Sequence, residues 1–197
     1  MFWGREHRTT NGDSGPSDQD LLRVLRDEGS EEAMAQLYRR HGGLVYRFSL
    51  RLIQDESIAE EVTQDVFLAL LGHADRFDPE RGSMATWLCG IARRLVWKQL
   101  RFRQRDLASP PEEELDEIAS TEDDPFVTMS RKQAVLAVER GIGELPAALR
   151  EVIVLCELEE MNYQDAASVL GVPVGTVRSR LHRAKHRLAL LLKEDGL

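Results

Sequence analysis

The sequence is notable first for what it has little of. Cysteine occurs twice in 197 residues, at Cys89 and Cys156, and no Cys/His cluster has metal-ligand spacing. That excludes a disulfide-stapled scaffold and a zinc-type site, and no metal or other cofactor is expected. Each cysteine lies in an apolar helical run, where a buried reduced thiol is the ordinary state. No apolar run approaches the roughly 18 residues of a membrane helix. The N-terminus, M-F-W-G-R-E-H-R-T-T-N-G-D-S-G-P, has no signal-peptide core. A cytoplasmic protein without membrane insertion is therefore expected. Enzyme signatures are missing as well. G-V-P-V-G-T-V at 171–177 lacks the lysine of a phosphate-binding loop, H-E-x-x-H is absent, and no carboxylate spacing marks a catalytic pair. No catalytic residue and no small-molecule substrate are expected. Strand-period segments and internal repeats are also missing, so the chain reads as all-α.

The composition, 42% hydrophobic and 30% charged, suits one or two soluble domains with a buried core. A net charge of -8 does not by itself suggest a nucleic-acid partner. The charge is unevenly placed, however, and placement decides where a polyanion can bind. From Gly171 to Lys193 there are six Lys or Arg and no acid. This stretch ends a segment, 162–192, that reads as a short helix, a tight turn and a long second helix. Tyr163, Ala166, Ala167 and Leu170 make one apolar face, Asn162 caps the start, Gly171 frees the turn and Pro173 stops the first helix. In the second helix Val177, Leu181, Ala184, Leu188 and Leu192 share a stripe. The opposite side is centred on Ser179, His182, Arg183 and His186, flanked by Arg178 and Arg180. A helix apolar on one side and basic on the other, placed second in a helix-turn-helix, suits a DNA major groove. The alternative is a bundle helix with a solvated basic face.

Upstream, residues 1–16 are polar and expected to be disordered. Helices are expected from Ser17 or Asp18 to Asp27, with Gly29 as stop, and from Glu31 to Leu52, with a kink at Gly42-Gly43. A third, from Glu56 to Leu71, places Ile58, Ala59, Val62, Val66, Ala69 and Leu70 on its core face. Its other side mixes Glu60, Glu61, Gln64 and Asp65 with Phe67, Leu68 and Leu71. Such a mixture fits a basic, partly apolar protein partner, or a helix buried on two sides. The loop 73–83 carries Pro79 and Gly82, and Ser83 can cap the next helix, from Met84 to Gln104. That helix has Leu88, Ile91, Ala92 and Leu95 inward. A second stripe carries Trp87, Arg94, Lys98, Arg101 and Arg105, with Trp97 beside it. Cations interleaved with aromatics suit melted nucleic acid, because cations track phosphates and rings stack on bases. Trp87 alone reads equally well as core. Charge then inverts: Asp106 to Pro125 holds nine acids, three prolines and no Lys or Arg, and reads as a linker reaching roughly 66 Å when extended. Two further helices, from Pro125 or Phe126 to Arg140 and from Pro146 to Glu160, precede the helix-turn-helix. Gly141 and Gly143 are expected to break the first of them.

These segments, in this order, resemble the extracytoplasmic-function (ECF, group IV) sigma factors of RNA polymerase over residues 18–193. The resemblance rests on A-E-E-V-T-Q-D-V-F-L-A-L at 59–70, D-R-F-D-P-E-R-G-S at 75–83 and T-W-L-C-G-I-A-R at 86–93. It continues in L-P-A-A-L-R-E-V-I-V-L at 145–155 and G-V-P-V-G-T-V-R-S-R-L-H-R-A-K-H-R-L at 171–188. The resemblance implies two small helical domains: 17–105 as region 2, for core polymerase and the promoter -10 element, and 126–197 as region 4, for the -35 element. The tail 1–16 and the acidic linker 106–125 lie outside them. It implies core-polymerase contacts at Glu61, Gln64, Asp65 and Leu68. It implies melted-strand contacts at Phe77 in the loop and at Trp87, Arg94, Trp97, Lys98 and Arg101. It implies duplex contacts at Arg178, Ser179, Arg180, His182, Arg183 and His186. Partners implied are core RNA polymerase, promoter DNA and an anti-sigma factor. The sequence departs from the family where Met84 stands for a common aromatic and Arg94 for a common Asn, both expected near the melted strand.

The competing reading is a stand-alone dimeric helix-turn-helix regulator. It predicts a palindromic site and strong DNA binding by the chain alone. It leaves the acidic linker and the Trp–Arg stripe without a role.

Overall fold

The computed structural model describes residues 15–106 and 127–194, and all regular structure among them is helical. The helices are α1 (Asp18–Glu28), α2 (Glu31–Ile53), α3 (Glu56–His73), α4 (Met84–Asp106), α5 (Val127–Glu144), α6 (Ala147–Ile153), α7 (Tyr163–Leu170) and α8 (Val174–Glu194). The tail at 1–14 and the acidic segment at 107–126 lie outside the described residues.

Capping explains most boundaries. Ser17 and Asp20 form a reciprocal capping box on α1, and Gly29 closes that helix at φ 63°. Ser30, Asp55 and Ser83 accept backbone N–H groups at the starts of α2, α3 and α4. The first half is a four-helix unit in which α2, α3 and α4 pack on one another and α1 covers α2. Leu37, Val45, Phe48, Val62, Val66, Leu70, Leu88 and Val96 are fully buried in it. In the second half α5, α6 and α7 pack on α8 around Leu145, Val152, Leu155, Ala166, Leu170, Val177, Leu181 and Ala184.

Several expectations need correction. α2 runs as one helix through Gly42-Gly43, and a side chain at Gly42 would press on the Tyr38 ring at 3.3 Å. Phe67 is buried, paired with Tyr38 at 4.8 Å between ring centres, so α3 has less free apolar surface than its sequence suggests. Gly141 and Gly143 do not end α5, which continues to Glu144. Gly141 instead lets α5 approach α8, where a Cβ would meet Leu188 at 2.7 Å. The helix expected over 146–160 is α from Ala147 to Ile153 and then a π turn over Val154–Leu158. Met84 is 2% exposed and belongs to the core face of α4. Cys89 is buried as expected and burial pushes its thiol up to about 12, whereas Cys156 is only half-buried and is pushed up to about 11.

The halves are not separate in this structure. α7 lies against α4, and α2 touches α5, α6 and the π turn.

Candidate nucleic-acid interface

Three surfaces carry the residues singled out from the sequence. The first is α8. Asn162 accepts the N–H groups of Gln164 and Asp165 and so fixes the start of α7. Gly171 ends α7 at φ 67°. Pro173 sits in the turn, and its carbonyl accepts from Val177 and Thr176. This turn sets α8 with Val177, Leu181 and Ala184 inward. Arg178, Ser179, His182, Arg183 and His186 are exposed on its other side, with Arg180 half-buried at the edge. Tyr163, expected in the core, is 40% exposed, and the Arg178 guanidinium stands 5.8 Å from its ring centre. The ring restricts where Arg178 points.

The second surface surrounds the loop after α3. One 3-10 turn, Ala74–Arg76, leads into an open loop, and Ser83 then caps α4 through the Thr86 N–H at 3.1 Å. Phe77 and Trp87 are half-buried and tilted against each other at 5.6 Å. Trp87, but not Phe77, lines a cavity of about 460 Å³ together with Arg76, Arg81 and Arg94. The cavity holds no acid but Asp78 among its lining residues. Arg76 and Arg81 were not singled out from the sequence, although D-R-F-D-P-E-R-G contains both. Alternation of acid and base in that loop hides which charges turn inward. The far wall is Ser168 and Val169 of α7, from the other half of the chain.

Further along α4, Lys98 and Arg101 are exposed, and Lys98 lies 6.0 Å from the Phe102 ring centre. Trp97 is differently placed. Its indole N–H donates to Glu151 Oε1 of α6 at 2.6 Å, so it is engaged across the joint between the halves.

The third surface is the outer side of α3. Glu61, Gln64 and Leu68 are exposed and Asp65 is half-buried, with Leu68 62% and Leu71 50% exposed beside them. Gln99 of α4 donates to Glu61 at 3.3 Å.

Sequence reasoning missed the residues that join the halves. Arg93 donates to Glu151 at 2.6 and 3.3 Å, and Arg47 and Arg51 both donate to Glu159. The side chains of Glu151 and Glu159 are 2% and 3% exposed. A signal was present at Glu151 alone, an acid flanked by Leu149, Val152 and Ile153 in an otherwise apolar face. Arg150, also on α6, donates to the Leu52 carbonyl of α2 at 2.9 Å.

Residues 37–106 match the family Sigma-70 region 2, and residues 136–188 match Sigma-70, region 4. The chain is 32% identical over 168 residues to the ECF RNA polymerase sigma factor RpoE of Cereibacter sphaeroides, covering 85% of this chain and 91% of that protein. It is 34% identical over 182 residues to the ECF RNA polymerase sigma factor SigC of Mycobacterium tuberculosis, covering 89% and 92%. Among solved structures it is similar to CnrH in complex with the cytosolic domain of CnrY, at a TM-score of 0.68 and 28% identity over 91% of this chain and 99% of that one. It is also similar to the sigma factor RpoE in complex with the anti-sigma factor NepR from Bartonella quintana, at a TM-score of 0.66 and 25% identity over 81% and 96%.

Proposed function

Because the chain belongs to the ECF RNA polymerase sigma factors, directing transcription initiation as an alternative sigma factor, we propose how its surfaces divide that work. The exposed face of α8 reads the promoter -35 duplex through Arg178, Ser179, Arg180, His182, Arg183 and His186. Guanidinium forks suit guanine edges and phosphates, and the groove admits one helix. The cavity behind the 74–83 loop takes an unpaired base of the -10 element. Trp87 offers it an aromatic face, with Phe77 packed against that ring, while Arg94, Lys98 and Arg101 track the strand. Trp97 joins that track once it is free of Glu151. The outer side of α3, with Glu61, Gln64, Asp65 and Leu68, docks on core polymerase. The chain performs no catalysis itself; bond formation belongs to the polymerase. It acts in the cytoplasm, and 17–105 and 126–197 serve as its two domains, joined by the acidic segment. By analogy with the relatives crystallised with CnrY and NepR, it is held in check by an anti-sigma factor. The group IV assignment belongs to this proposal as well.

The observation that carries this reading is the pairing of two different cationic surfaces on one chain of net charge -8: a convex helix for duplex and an arginine-lined cavity with Trp87 in its wall for a single base. A stand-alone regulator has use for only the first. The test is co-elution of the purified chain with core RNA polymerase, followed by run-off transcription from sheared genomic DNA. Co-elution with new discrete transcripts is expected. A chain that ignores the polymerase yet binds a palindromic duplex tightly as a dimer overturns the reading.

A further inference from the structure

Nothing in the packing calls for a glycine at position 90. The residue lies inside α4, where glycine destabilises a helix relative to alanine, and its φ is not positive. Gly42 and Gly141, also inside helices, have packing reasons: a Cβ at the first would press on the Tyr38 ring and one at the second would meet Leu188. Gly72 and Gly175 are open, but each lies within a residue of a helix end. A Cβ at Gly90 would meet nothing within 4 Å. The space it would enter is the cavity of about 460 Å³ behind the 74–83 loop. Thr86, Gly90 and Arg94 follow at i, i+4 and i+8 along the face of α4 that lines this cavity, with Trp87 beside them. The missing side chain therefore keeps the cavity open next to an aromatic ring.

The charges around this space are set differently from others in the first half. Arg23, Arg26, Arg39, Arg40, Arg93 and Arg103 each pair with a carboxylate. Among the described residues Arg76, Arg81 and Arg94 pair with none, and all three converge on the cavity. Asp78, the acid on the same lining, accepts the N–H of Glu80 in its own loop at 3.0 Å. Three guanidiniums without an acid, around a space with an indole in its wall, match a ligand that carries phosphate beside a flat ring. A nucleotide is such a ligand, and the volume is in the range of small-molecule sites.

We propose that the cavity is fitted to a whole nucleotide of a single strand: Gly90 makes room for the base beside Trp87, and Arg76 and Arg81 hold its phosphates. Gly90 is then a specificity-determining position, because any side chain there takes volume from the base. The inference rests on the reading of this cavity as the place of an unpaired -10 base. It adds the residue that sizes the site and the two cations of the loop that charge it.

The test follows the anisotropy of a fluorescein-labelled oligothymidylate of about a dozen nucleotides, whose central position is A, C, G, T or an abasic spacer. It is run with the full chain alone and with the chain bound to core polymerase. At least one base should bind tighter than the abasic strand by about tenfold. Gly90→Leu should remove that margin and leave the abasic strand within about twofold of wild type, with Gly90→Ala between the two. Alanine and leucine are strong helix formers, so the thermal midpoint should hold or rise in both variants. A midpoint that falls instead assigns Gly90 to the fold and overturns the proposal. Arg76→Ala and Arg81→Ala should weaken every strand, the abasic one included. Each should also flatten the plot of log affinity against log salt by about 0.7, the mark of one lost phosphate contact. Arg76→Lys and Arg81→Lys should restore that slope. The proposal fails if neither preparation shows a base-dependent margin, if the margin survives Gly90→Leu, or if both alanine variants keep the wild-type slope. It fails too if a mixture of the four free deoxynucleoside monophosphates, at equal nucleotide concentration, displaces the strand, since the site would then belong to a free nucleotide. Co-elution with core polymerase is scored separately: its failure strikes the functional reading, while the strand measurements on the chain alone still decide the pocket.

Discussion

At the scale of single residues, charge identity decides which surface fails. Arg180→Ala and Arg183→Ala should each weaken binding to a -35 duplex by about 1–3 kcal/mol, roughly five- to 150-fold. Polymerase binding should be unchanged. Glu61→Lys with Asp65→Lys should do the reverse, weakening co-elution with core polymerase and sparing the duplex. Equal damage to both functions by both sets would show that the surfaces are not separate. A second residue-scale effect depends on pH. His41 Nε2 lies 2.8 Å from Asp18 Oδ2, and Arg40 donates to the same carboxylate at 3.0 Å. The His41 hydrogen bond foremost, with Arg40 adding to it against the cost of burial, holds the Asp18 carboxyl below its ordinary 3.8. A depressed acid stabilises the fold above its unfolded value, and that contribution is lost as pH falls through the folded value. Asp18→Asn should therefore lower the urea midpoint at pH 7, and the gap to wild type should close as the solution is acidified below about 3.9. The exposed residues of α8 were legible because helical period alone sets which side of the helix they occupy. Arg47, Arg51 and Arg93 were not, because their partners lie 112, 108 and 58 positions away and no local pattern announces a distant carboxylate.

At the scale of elements, stop signals read well where the backbone itself demands glycine and badly where packing does. Gly29 and Gly171 both end helices at positive φ, at 63° and 67°. Gly141 was read as a third such stop, yet its residue type answers to the close passage of Leu188, which nothing near it in sequence discloses. Gly171 is the cleaner test, since a Cβ there meets nothing within 4 Å. Any cost is conformational, roughly 1–2 kcal/mol for a left-handed non-glycine residue. Gly171→Ala should lower the thermal midpoint of the second half accordingly, and Gly171→Asn should lose less, because asparagine tolerates that conformation. Equal losses for the two would point to packing instead. The π turn at Val154–Leu158 had no sequence counterpart: V-L-C-E-L continues the apolar spacing of α6 without a proline or glycine to mark the change.

At the scale of the whole molecule, the all-helical class and the order of the helices could be read from periodicity, while the contact between the halves could not. An acidic segment between two helical units reads as a spacer, and a spacer says nothing about whether its ends meet. The joint has a thermodynamic signature that can be checked. With Glu151 and Glu159 buried against arginines of the other half, the halves should unfold as one unit in a calorimeter. Glu151→Gln with Glu159→Gln should split the endotherm into two, and a single unchanged endotherm would mean that the ionic contacts do not couple the halves.

The carboxylates and the arginines they hold also belong to one polypeptide, with twenty residues, 107–126, between α4 and α5. Their encounter is unimolecular, so the contact between the halves forms independently of how many copies of the protein are present. Diluting the protein therefore leaves that contact in place.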